Sequence, residues 1–522
     1  MNNKAVRQSF KWFGFIVILA FGFTAVGAVM PTDTQAAGKT RVITYAYPRV
    51  ISELDPGRVL SSENNIMLNV WGTLTLWDPD KGVIPYAAKS WESNADKTVW
   101  TFRLHEGIKC HDGSKFTAED VKFSWERTIK IGSLAYVFTM VDSIEVVDEL
   151  TVRVNLKFPF RMDANAANSW GSYLMSRNIA DKPKEWFAAG NENGIGPYRI
   201  ESFEPGQRIV LTKFEDWFGE FPENAYDKVV IEIVEDPSVR AQKLRGGEAH
   251  LAWDISFDDF DSLNKSGKVK AFAAPAYYQM QWHINSRRAP LTDVRVRQAL
   301  AYSFPYESVA VGTYGGFGKI AEGAVPRLMW NPTGKTKTYP LDLKKAAELL
   351  KAAGVSKGTS LRLGVEVNNP EFIKAAELWQ ATLAQLGIKL IIEKISAGVR
   401  WDEVYNKETK FDIMQMKMQI GFDSPNEFLG SLFHSGWTWY PFSGIKNAKF
   451  NELCEQAPSF EATDKQKSDQ MYQQAEQILF DEAAAIFALD LPQDWAVSTT
   501  VGGFKANPLY GYDVLFFQLY AK

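Results

Sequence analysis

Short runs of alternating apolar and polar residues mark the first half of this chain. Residues 41–46 (RVITYA), Val99–Leu104 (VWTFRL) and residues 152–156 (VRVNL) read as strands, the last with a clean half-buried alternation. Residues 208–212 and 229–234 add two more. Between them, Thr117-Ala118-Glu119-Asp120 has a capping residue with a carboxylate three positions later, so a helix is expected to start there. The second half changes period. Leu343, Ala346, Ala347, Leu350 and Ala353 recur at helical spacing behind Asp342 as cap, and Gly354 stops the run. Strict alternation at Leu361, Leu363, Val365 and Val367 predicts a strand. A helix over 370–386, a strand over 388–392 and a long helix capped near Asp464 follow. A β-rich region followed by helix–strand succession predicts an α/β second region with partly parallel pairing.

The N-terminus changes the compartment expected. Lys4, Arg7 and Lys11 precede an uncharged stretch from Phe13 to Met30 and a small-residue end at Ala36-Ala37, the layout of a cleaved signal peptide over residues 1–37. No cysteine stands at that junction, so a lipid anchor is not expected. The remainder is too long for one hydrophobic core and favours two or three lobes with a cleft between them. A formal net charge of −4 with interspersed signs carries no footprint for nucleic acid. The two cysteines, Cys110 and Cys454, are read as separate buried thiols rather than a disulfide.

Catalytic signatures do not emerge. There is no nucleophile elbow, zinc-protease motif or phosphate loop, and the five histidines show no tight metal spacing, so no catalytic residue, metal or cofactor is assigned. Cleft candidates come from aromatic chemistry. Tyr278 lies on an expected crossing strand, and Trp253 follows the Gly-Glu segment. Trp401, Trp437 and Trp439 are further rigid aromatic candidates, the last two within a turn-rich loop.

Seven segments, in order, resemble the extracellular solute-binding protein family 5, the peptide- and nickel-type class of ABC-transporter binding proteins. They are Leu54-Asp55-Pro56, the stretch from Tyr86 to Leu104, and His111-Asp112-Gly113 through Val121. Gly194-Ile195-Gly196-Pro197-Tyr198, Leu244-Arg245-Gly246-Gly247-Glu248, Val294 to Tyr302 and Ala346 to Gly354 complete the set. The resemblance implies an α/β fold of the periplasmic binding protein type II-like kind, with two lobes plus an extra β-rich subdomain. By that pattern lobe I is 38–70, 191–282 and 487–522, the subdomain 71–190, and lobe II 283–486. The chain would cross between lobes near Tyr278–Asn285 and Phe487–Trp495. It also implies a monomer that captures a small-molecule or peptide ligand and hands it to ABC permease subunits, without enzymatic activity. Peptide-binding members place an Asp for the ligand's α-ammonium in the region Met416 to Phe428. Asp423 is the nearest acid there, offset slightly when Pro425 is the anchor. Oligosaccharide, opine and metal chelate are the competing solutes, and a periplasmic hydrolase or a sensor is the competing class.

Overall fold

Two long strands, Val269–Ile284 and Ala485–Ser498, run antiparallel through the middle of an 11-stranded sheet. This computed structural model describes residues 40–58, 64–331 and 339–522. The signal segment expected at 1–37 lies outside them. The ladder between the long strands shifts register twice, between Met280 and Gln281 and, more widely, in mid-course, where Ala274 pairs with Gln493 and the next pair is Tyr278 with Leu491. Pro275 stands in one strand at that gap and Pro492 in the other. Neither proline has an N–H to donate, so the cross-strand ladder cannot be continuous there.

The gap separates two halves of the sheet. On one side the long strands pair on to Leu251–Trp253, which is parallel to Val42–Tyr47, and that strand is parallel to Lys228–Ile233. Arg208–Lys213 and Tyr198–Glu204 extend this half antiparallel. On the other side Ile413–Met418 pairs antiparallel with the 269–284 strand. Ser360–Glu366 and Lys389–Ile395 follow in parallel. Parallel pairing therefore occurs in both halves, whereas the residue pattern had pointed to it only in the second. A separate four-stranded antiparallel sheet, in the order Ala88–Ser93, Val99–Leu104, Thr151–Leu156, Val141–Asp148, carries the helix Ala118–Ile131.

Local chemistry explains most element starts. The Thr117 N–H donates to Asp120 Oδ2 at 2.8 Å, closing the acidic half of the cap. Asp342 accepts from the Lys345 N–H at 2.8 Å ahead of the helix Leu343–Ala352. Asp464 does the same for Lys467 before Lys465–Asp481. The Gly194–Tyr198 motif has a tighter reason. A Cβ on Gly194 or Gly196 would collide with the backbone carbonyls of Val70 or Asn69, so two main chains meet where only glycine fits. His111 braces that contact, with Nδ1 2.5 Å from Glu192 Oε2 and Nε2 2.9 Å from the Gly196 carbonyl.

The 269–284 strand has two different faces. Met280, Trp282 and Ile284 are fully buried, and Trp282 packs against Phe372 with ring centroids 5.2 Å apart. Gln279, Gln281 and His283 are equally buried but polar. Gln279 Nε2 donates to Asp490 Oδ1 at 2.8 Å and Gln281 Nε2 to Gln279 Oε1 at 2.8 Å, with His283 Nε2 2.9 Å from Gln281 Oε1. Burial holds His283 far below its ordinary range, at about 3, with the nearby Arg400 acting in the same direction, so the ring is neutral.

Candidate functional site

Where the two sheet halves adjoin, aromatic rings and unpaired polar atoms gather. Trp253 ends the strand Leu251–Trp253, and Tyr278 is the first residue paired after the gap in the long strands. Each is 1 % exposed. Tyr512 lies against Trp253 with ring centroids 4.9 Å apart. Arg49, just beyond the first strand, sets its guanidinium 5.2 Å from the centroids of both Trp253 and Tyr512. From the other half, Lys417 on Ile413–Met418 brings its ammonium to 5.4 Å from Trp253 and 5.6 Å from Tyr278.

The donors and acceptors here are not satisfied by the protein. Trp253 Nε1, the Tyr278 hydroxyl and both Asp513 carboxylate oxygens are buried without a hydrogen-bond partner. Burial pushes the Asp513 carboxyl well above the usual carboxylate range, against the pull of Arg49. Asp494 is driven up by burial and then by Asp254, with Lys417 opposing. Glu371 is raised by the same burial and the same Asp254. Asp254 itself has φ +60, a conformation uncommon for a residue other than glycine, and its backbone carbonyl accepts from the Arg240 guanidinium. Native interiors leave few buried polar atoms unpaired, and four of those found in this protein belong to this one cluster.

The chain holds this arrangement firmly. Asn65 Nδ2 donates to the Tyr512 carbonyl at 2.9 Å and Asn69 Nδ2 to the Val514 carbonyl at 2.7 Å. The same two side chains accept from the N–H groups of Val514 and Phe516, both at 2.9 Å. Two asparagines one helical turn apart thus clamp the loop that carries Tyr512 and Asp513. Gly511 has φ +62, and a Cβ there would strike the Tyr278 hydroxyl. Only glycine lets the loop approach so closely.

Of the six residues singled out from sequence, this cluster unites Trp253 and Tyr278. Trp401 and Trp439 lie together elsewhere in the second half, 6.0 Å apart, with Arg400 4.3 Å over the Trp401 ring and paired to Glu366 at 2.5 Å. Trp437 is 46 % exposed and stacks on His434 at 4.4 Å. Asp423 sits in the segment that meets the four-stranded subdomain, where Phe422 stacks on Phe160 at 5.4 Å. Burial raises its carboxyl, and Arg161 and Trp77 pull it back. The cap of the short turn Pro425–Glu427 is Ser424, not Asp423.

The residues the sequence reading missed are Arg49, Lys417, Asp494, Tyr512 and Asp513. They come from four separate segments, Tyr512 and Asp513 sharing one, and no motif marks them. The one faint signal is Lys417, a lone cation in the apolar run Ile-Met-Gln-Met-Lys-Met. Cys110 and Cys454 are both free and buried, and burial pushes the Cys110 thiol up to about 12. Among the described residues no group of three or more His, Cys, Asp or Glu side chains is placed to hold a metal ion. No helix among them is long and apolar enough to cross a membrane.

Comparison with known proteins agrees with this architecture. The chain is 29 % identical over 508 residues to the probable D,D-dipeptide-binding periplasmic protein of Escherichia coli (strain K12), covering 94 % of this chain and 95 % of that one. It is 28 % identical to a glutathione-binding protein of Pectobacterium atrosepticum, covering 94 % and 96 %. Among solved structures, the dipeptide binding protein of Pseudoalteromonas sp. SM9913 in complex with Met-Leu superposes with a TM-score of 0.83 at 21 % identity, over 92 % of this chain and all of that one. A Helicobacter pylori periplasmic binding protein in complex with the peptide STSA gives 0.80 at 24 %, over 92 % and 98 %. These likenesses show the type II-like periplasmic binding protein fold. The profile of the bacterial extracellular solute-binding proteins, family 5, matches residues 82–440, and the chain belongs to that family.

Proposed function

We propose that this protein is the periplasmic solute-binding component of an ABC importer, and that it takes a small peptide-like solute between the two halves of its sheet. The observation that carries this reading is the set of buried, unpaired polar atoms on Trp253, Tyr278 and Asp513 where the halves adjoin. A solute with its own donors and acceptors would satisfy them. The peptide-like class is supported by relatives named for dipeptides and glutathione, and by the mixture of cations and carboxylates around Trp253. No bond-making chemistry is required. In this reading residues 38–70, 191–282 and 487–522 form lobe I, 71–190 the subdomain and 283–486 lobe II. The two move about the interruption at Pro275 and Pro492, and solute shifts the population toward the closed form that docks on the permease. Trp401, Trp437, Trp439 and Asp423 lie outside the cluster around Trp253, and the proposed site is centred on Trp253 and Tyr278.

A thermal-shift and calorimetric screen tests the reading. Dipeptides or short peptides are expected to raise the melting temperature, by an amount equivalent to about 2.7 kcal/mol at a hundredfold excess over Kd. A distance label across the two halves is expected to shorten with the same solutes. A response to oligosaccharides or metal chelates alone would remove the peptide assignment. Sequencing the N-terminus of protein recovered from the periplasm tests the export step, with a start near residue 38 expected.

A further inference from the structure

Gly421 has no side chain, and a tryptophan from a distant segment fills the space one would take. A Cβ on Gly421 would fall on the Trp170 indole, at its Cδ1–Nε1 edge. Trp170 stands in a subdomain loop that is fastened on several sides. Its N–H donates to Asn168 Oδ1 at 2.8 Å, and Ser172 Oγ donates to the Asn165 carbonyl at 2.6 Å. Trp125 Nε1, on the helix Ala118–Ile131, donates to the Ser172 carbonyl at 3.3 Å. One residue beyond Gly421 the contact continues, since Phe422 stacks on Phe160. The rings form a wall between the subdomain and the segment that follows Ile413–Met418.

Two short connections place this wall beside the cluster around Trp253. Gln419 Nε2 and the Tyr278 hydroxyl both border the point where a Cβ on Gly511 would stand, and Gly421 is two residues further on. Tyr510, next to Gly511, donates its hydroxyl to the Ala167 carbonyl at 3.0 Å, three residues before Trp170. Two residues of extended chain reach about 7 Å, so the wall stands about one dipeptide's length from that cluster. Trp170 also keeps a donor free. Its Nε1 is buried without a hydrogen-bond partner, as are Trp253 Nε1 and the Tyr278 hydroxyl. An indole N–H left so costs stability in the solute-free protein.

We propose that Trp170 sets the length of the solute: its indole, standing in the place of a side chain at Gly421, ends the cleft on the subdomain side and admits two residues but not four. The proposal rests on the peptide-like reading given above and narrows it by size. Each further residue of an extended peptide adds about 3.5 Å and must displace the indole from a packed position, with the penalty of overfilling a core. The indole N–H donates to the solute carbonyl nearest the wall.

The test is calorimetry on the full mature protein with alanine peptides of two, three and four residues, in L and D forms. The unaltered protein is expected to bind a two-residue peptide at least about tenfold more tightly than the four-residue one. Trp170→Ala removes the wall, and the four-residue peptide is expected to gain about ten- to a hundredfold relative to the dipeptide. Trp170→Phe keeps a ring against Gly421 and loses the N–H, so dipeptide binding is expected to weaken by about two- to tenfold with the preference for short peptides retained. Circular dichroism and melting of each variant check folding, and if Trp170→Ala does not fold, Trp170→Leu carries the comparison. Equal binding of two- and four-residue peptides by the unaltered protein overturns the proposal, as does an unchanged preference in Trp170→Ala or Trp170→Leu. Either result leaves the peptide-like reading standing. No binding of any peptide in the set, by the unaltered protein or the variants, removes that reading and the proposal together.

Discussion

The polar face of the 269–284 strand and the cluster around Trp253 share one strand and a similar degree of burial, yet they are built in opposite ways. Along Gln279 and Gln281 each side-chain amide finds a protein partner, His283 Nε2 meets Gln281 while its Nδ1 is the one atom of the run left unpaired, and the run ends on Asp490, whose other oxygen accepts from the Arg327 N–H at 3.2 Å. One residue earlier, Tyr278 enters a neighbourhood where a hydroxyl, an indole N–H and a whole carboxylate have no partner. A satisfied buried network stabilises and orients a structure, whereas an unsatisfied one costs stability and persists where something outside the chain completes it. The first holds the crossing strands rigid within the second half of the sheet. The second, at the junction, is where the proposed solute would supply the missing partners.

Four substitutions would break or sharpen that contrast. The largest effect is expected from Gln279→Leu, which strands Asp490 Oδ1 and the Gln281 amide at once. Denaturant unfolding should show a loss of about 2–4 kcal/mol, with solute affinity much less changed. Asp513→Asn should move stability the other way. Its carboxyl is pushed well above the usual range, so the folded state holds the proton longer than the unfolded chain, and stability falls as pH rises above the unfolded value. Removing that charge should stabilise the solute-free protein at neutral pH by about 1–2 kcal/mol, while calorimetry shows weaker solute binding. A loss of stability on Asp513→Asn would place this carboxylate with the structural network instead.

Glu461→Gln probes a buried acid away from both regions. Burial raises Glu461 to about 7, even though the hydroxyls of Ser424 and Tyr472 both donate to it at 2.5 Å. The folded state therefore binds an extra proton between pH 4.5 and about 7, and stability drains away as pH climbs through that window. Melting curves of the variant should be flatter across it, since the amide oxygen still accepts both hydroxyls. The smallest change in stability, under about 1 kcal/mol, is expected from Trp253→Phe, which removes an N–H that had no partner in the protein. Its calorimetric affinity should nonetheless fall by about tenfold, because the solute loses a donor.

Much of the fold was legible because it is encoded over a few neighbouring residues. Thr117 with Asp120, Asp342 with Lys345, and Asp464 with Lys467 are cap contacts that act within one turn, and the helices begin where that chemistry put them. Val99–Leu104 alternates in sequence and alternates in burial. The parallel pairing of Val42–Tyr47 with Lys228–Ile233 was not legible, because its partners are far apart in sequence and a parallel strand carries no mark of which neighbour it will take.

For the site the balance is reversed. Tyr278 was visible as an aromatic residue on an expected crossing and Trp253 as one following the Gly-Glu segment, and Trp401, Trp437 and Trp439 were just as visible, though the first and last pack with each other away from the crossing and Trp437 lies on His434. Composition and local pattern supply the kind of residue a cleft uses, and motif order supplied the family. Which residues share the cluster around Trp253 was settled by folding alone. Arg49, Lys417 and Asp513 lie on three segments far apart in sequence, and what distinguishes them is that none has an opposite charge within ion-pair distance among the described residues, a property that exists only in the folded chain.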